Sequence, residues 1–69
     1  MDSWELAVLT VLDANSGVVT YPDLYSQYPV EGRGQLRRAL VNLKARGLIT
    51  RGNQYDRETN ETVSWIRKV

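Results

Sequence analysis

The residues best suited to chemistry in this chain are cations. Arg33, Arg37, Arg38, Lys44, Arg46 and Arg51 fall in one stretch with no Asp or Glu among them, and Gln35 and Asn42 are interleaved. An Arg guanidinium can make paired hydrogen bonds to guanine or phosphate, and an Asn or Gln amide can do so to adenine. Such a set recognises a polyanion and makes or breaks no bond. Residues 33–51 carry a net charge of +6, against −5 for residues 1–32, where Asp2, Glu5, Asp13, Asp23 and Glu31 meet no Lys or Arg. Residues 52–69 balance Asp56, Glu58 and Glu61 against Arg57, Arg67 and Lys68, which leaves +1 overall. Positive charge gathered in one segment of a near-neutral chain is the footprint of an element that meets a polyanion. The competing reading is a solvated helix face with no partner.

Catalysis has little equipment here. The chain contains no His and no Cys, so the usual general base, thiolate metal ligands and disulfides are missing. No phosphate loop and no persuasive pair of carboxylates stands out, so neither an enzyme, a metal nor a cofactor is expected. At 69 residues, 42% hydrophobic and 25% charged, the composition is that of a single folded domain over 1–69, one that buries only about 60% of its unfolded surface. No apolar run approaches the roughly 18 residues of a membrane span. Met1-Asp2-Ser3-Trp4-Glu5 lacks the basic start of a signal peptide, and the expectation is a cytoplasmic module without a membrane partner.

The elements that must carry the cations are well punctuated. Asp2 and Glu5 form a capping-box signature for a helix over about Ser3 to Ala14, with Trp4, Val8, Val11 and Leu12 at core-facing spacing. Asn15-Ser16-Gly17 ends it, and Val18-Val19 allows only a stub of strand. Thr20, Pro22 and Asp23 open a short second helix, about Tyr21 to Gln27, with Leu24 and Tyr28 inward. A flexible turn is expected over Val30 to Gly34. A third helix follows over about 34–46, capped by Gly47 and buried through Leu36, Ala39, Leu40 and Leu43. Period-two patterning in Leu48-Ile49-Thr50-Arg51 and in Thr62-Val63-Ser64-Trp65-Ile66 reads as a hairpin turning within Asp56 to Asn60.

That order resembles the winged helix-turn-helix family. Ala7-Val8-Leu9-Thr10-Val11-Leu12 is similar to the end of its first helix, and Val19-Thr20-Tyr21-Pro22-Asp23-Leu24 to the cap and start of its second. Leu36-Arg37-Arg38-Ala39-Leu40-Val41-Asn42-Leu43-Lys44-Ala45-Arg46-Gly47-Leu48-Ile49-Thr50-Arg51 resembles the recognition helix, glycine cap and first wing strand of MarR-like and related small repressors. The resemblance implies a mainly helical α+β fold, three helices followed by a β-hairpin wing. It also implies a transcription regulator that places the helix over about 34–46 in the major groove of double-stranded DNA. Arg38 and Asn42, with Gln35, are the expected base readers, and Arg33, Arg37 and Lys44 the phosphate contacts. Arg57 stands where family wings enter the minor groove, but Asp56, Glu58 and Glu61 around it oppose phosphate.

Several readings stay open beside this one. Gly32 and Gly34 either expose backbone N–H groups to a phosphate or make a tight interhelical turn, the second being favoured. Trp65 resembles a tryptophan of the winged helices that bind Z-form nucleic acid, but Val41 and Arg37 replace their helix tyrosine and asparagine, and paired prolines are missing. Trp65 therefore reads as a residue covering the hairpin. Leu6 and Leu9 fall off the core stripe of the first helix and suggest a homodimer interface. The acidic first half and acidic wing support an alternative, a winged-helix module docking on a polymerase or another host protein.

Overall fold

A computed structural model describes residues 1–69 and gives an α+β fold of three helices and a three-stranded antiparallel sheet. Helix α1 is Ser3–Ala14, strand β1 Val18–Thr20, helix α2 Tyr21–Ser26, helix α3 Arg33–Ala45, strand β2 Ile49–Asp56 and strand β3 Glu61–Lys68. The sheet order is β1-β3-β2, so the stub at Val18–Thr20 is a true strand, paired with β3 through Val19↔Ile66 and Thr20↔Trp65. No helix is long and apolar enough to cross a membrane.

Local signals explain the boundaries. The Glu5 N–H donates to the Asp2 carboxylate at 2.8 Å while the Asp2 N–H donates back to Glu5 Oε2 at 3.0 Å, which closes the capping box of α1. Thr20 caps α2 by accepting from the Asp23 N–H, and Pro22 fits that helix's first turn. After α3, Gly47 takes φ +75°, and the Leu48 N–H donates to the Leu43 carbonyl at 3.0 Å, turning the chain into β2.

Two expectations are corrected. The segment Val30 to Gly34 is no flexible turn: Val30–Gly32 is a 3₁₀ turn running directly into α3, which begins at Arg33. Strand β2 also does not stop at Arg51 but continues through Gly52-Asn53-Gln54-Tyr55-Asp56, in register from Ile49↔Lys68 to Asp56↔Glu61. The ladder bonds are made by backbone, so the polar side chains of this edge strand mark solvent contact and not the end of pairing.

Val8 and Leu12 of α1, Leu24 of α2, Leu36, Ala39, Leu40 and Leu43 of α3, and Val19, Ile49 and Ile66 of the sheet form the core. Trp4 and Val11 are half-buried at its edge. One buried group was legible only as a cap. Glu5 is 2% exposed, and its Oε1 has no hydrogen bond, its charge being met by the Arg46 guanidinium 3.3 Å away. That pair ties α1 to the end of α3. Arg46→Met should lower the urea midpoint by the equivalent of about 1–3 kcal/mol, the cost of a buried acceptor left without its partner. An unchanged midpoint would mean the carboxylate does not depend on Arg46.

Candidate nucleic-acid interface

Helix α3 buries one stripe and leaves its cations on two different flanks. Arg37, Leu40, Val41 and Lys44 form one flank. They line a groove of about 490 Å³ completed by Tyr21 and Tyr25 of α2, Ile49 and Arg51 of β2 and Ile66 of β3. Three cations thus converge on one groove, and no carboxylate lines it. Arg51 reaches it because it registers opposite Ile66 and so shares the helix-facing side of the sheet. Its guanidinium lies over the Tyr21 ring, 5.1 Å from the centroid, and Arg33 lies over Tyr25 at 5.8 Å. The two tyrosines, one turn apart, meet edge to face at 5.8 Å.

Burial raises the Tyr21 phenol above its ordinary value of 10.0; Arg51 pulls the other way and Tyr25 adds to the rise. Burial alone raises Tyr28 in the same direction. Both hydroxyls therefore stay protonated, neutral groups near pH 7. Because folding holds these phenols protonated, their stabilising contribution is present below pH 10 and is lost as pH rises above it.

The expected site residues are divided by this geometry. Arg37 and Lys44 line the groove, and Arg33 stands beside it on Tyr25. Arg38, Gln35 and Asn42 do not line it. Arg38 is exposed one residue further round the helix, whereas Gln35 and half-buried Asn42 turn toward the flank of Arg46, whose partner is on α1. Arg57 belongs to a separate depression of about 470 Å³ beyond the other face of the sheet, shared with Asp56, Glu58, Gln54 and Trp65. Tyr21, Tyr25 and Arg51 were missed as site residues. The spacing of the tyrosines and the place of Arg51 in the basic stretch were visible, but their meeting depends on strand register.

Gly32 has a structural reason. A Cβ on Gly32 would lie 2.7 Å from the Trp4 ring, which packs over that backbone and sits 5.6 Å from Tyr28. The Gly32 N–H donates to the Pro29 carbonyl and the Arg33 N–H to the Val30 carbonyl, so neither is free for a phosphate. Gly34 has open space around it. On α1, Leu6 is 54% exposed, but Leu9 packs against the core. That leaves Leu6 among exposed Ser3, Thr10 and Asp13, without the continuous apolar face suggested by a Leu6–Leu9 pair.

No known family, curated protein or solved structure matches this chain. Only two ion pairs form, Arg46–Glu5 and Lys68–Asp13. Arg33, Arg37, Lys44 and Arg51 are all left without a carboxylate partner.

Proposed function

We propose that this domain is a winged helix that binds double-stranded DNA as a transcription regulator, with α3 in the major groove and the α2–α3–β2 groove against the phosphates. The observation that carries this reading is the convergence of Arg37, Lys44 and Arg51 on a groove free of carboxylates. Cations held apart from any internal partner repel one another, and a polyanion relieves that repulsion. The element order and the exposed, cation-bearing side of α3 support a recognition helix. Base reading falls to Arg38 on the outermost part of α3. Docking on another protein is the second reading, favoured by the depression where Asp56 and Glu58 surround Arg57.

The test is a binding titration on random and selected duplexes between about 50 and 200 mM salt. The log–log slope should be about −0.9 for each phosphate contact. Arg38→Ala should lose about 1–3 kcal/mol on the selected site and little on a scrambled one. Absence of salt-dependent binding would favour the protein-docking reading. Equal loss on both duplexes would move Arg38 from the bases to the backbone.

A further inference from the structure

Tyr21 and Tyr25 line the groove, but each ring already carries an arginine. Both are half-buried against the core, each meets the other edge to face, and each carries a guanidinium over its ring. Proteins that hold single strands use open aromatic faces on which bases stack. Here an arginine lies over each ring and competes with a base for that face. Arg33 and Arg51 in turn make no ion pair, so the rings are what restrain them. A long side chain restrained before binding loses less rotamer freedom when it meets a phosphate.

Resting on the duplex-binding reading above, we propose that Tyr21 and Tyr25 are positioning residues. They hold Arg51 and Arg33 as a preset clamp for the sugar–phosphate backbone of one strand of a duplex, and they exclude base stacking from the groove. The clamp spans three elements. Arg51 comes from β2 and Arg33 from the start of α3, with both rings on α2 between them. Arg37 and Lys44 supply the adjoining wall of the groove. Its ligand is backbone phosphate in duplex geometry, and it should discriminate against an unpaired strand.

The experiment is a pair of double-mutant cycles, read by fluorescence anisotropy on a 12-base-pair duplex and on a twelve-nucleotide oligothymidylate. Tyr21→Leu should weaken duplex binding about three- to tenfold with an almost unchanged salt slope, because the charge remains while its restraint is lost. Arg51→Ala should flatten the slope by about one contact. Tyr21→Leu added to Arg51→Ala should then cost nothing more, while Tyr21→Phe, which keeps the ring, should bind like the parent. Tyr25 and Arg33 form the second cycle, which decides the matter if Tyr21→Leu does not fold. The clamp is overturned if the tyrosine substitutions weaken the arginine-less proteins as much as the parent. It is also overturned if oligothymidylate binds as tightly as the duplex. A parent that binds no duplex overturns the duplex-binding reading itself, and the clamp with it.

Discussion

Leu36→Ala should destabilise the domain by about 2–5 kcal/mol and leave it largely unfolded at 37 °C. Leu36 of α3 is fully buried in the core and lines neither the basic groove nor the depression around Arg57, so its truncation reports on packing. Leu40 is the less clean choice, because it borders the basic groove and its loss would disturb fold and site together. The size of the effect follows from the size of the protein. Only ten hydrophobic residues are buried in the core, so the neighbours of the deleted isopropyl group have few others to repack against. Urea unfolding followed by circular dichroism gives the number. A midpoint within experimental error of the parent's would show that α3 does not pack through this stripe.

The helices were legible because their determinants are local. Asp2 and Glu5, Thr20 and Asp23, and Gly47 each mark a boundary through bonds to neighbouring backbone. The apolar stripe of α3 follows from helical period alone, and all four of its residues are buried. The rest depends on what meets across space. Asn53 and Gln54 look like loop residues, yet they sit in a ladder whose far side is Ser64 and Val63. Glu5 reads as a cap, and only the approach of α3 makes it a buried charge beside Arg46. Gly52 carries no local signal: a Cβ there would run into the Trp65 ring lying across from it, a cross-strand fact. The candidate site follows the same rule. Helical projection identifies the exposed cations of α3 but not which flank gains a fourth element. The register that sets Arg51 opposite Ile66 decides that the groove forms on the Arg37–Lys44 side.

The largest effect on binding should come from reversing the two groove cations of α3 together. Arg37 and Lys44 are exposed and make no ion pair, so Arg37→Glu with Lys44→Glu should leave thermal unfolding nearly unchanged. Removing two phosphate contacts near 0.1 M salt costs roughly 60-fold in affinity, and the new carboxylates add repulsion, so a loss of about 100-fold or more is expected. The salt slope should flatten by about two contacts. A matched control separates the groove from net charge. Arg57→Glu with Arg67→Glu makes the same change, from +1 to −3 because each reversal removes two charges. Its two positions lie away from the groove, Arg57 by the hairpin turn and Arg67 over Trp65. If affinity depended only on the overall field, the two double variants would lose it equally. A phosphate seat at the groove requires the Arg37–Lys44 pair to lose at least ten times more, because contact with a condensed counterion layer is local while the field of distant charges is screened within about 8 Å at physiological salt. Equal losses would leave these cations as part of a general positive field and would remove the groove as the place where the duplex lies.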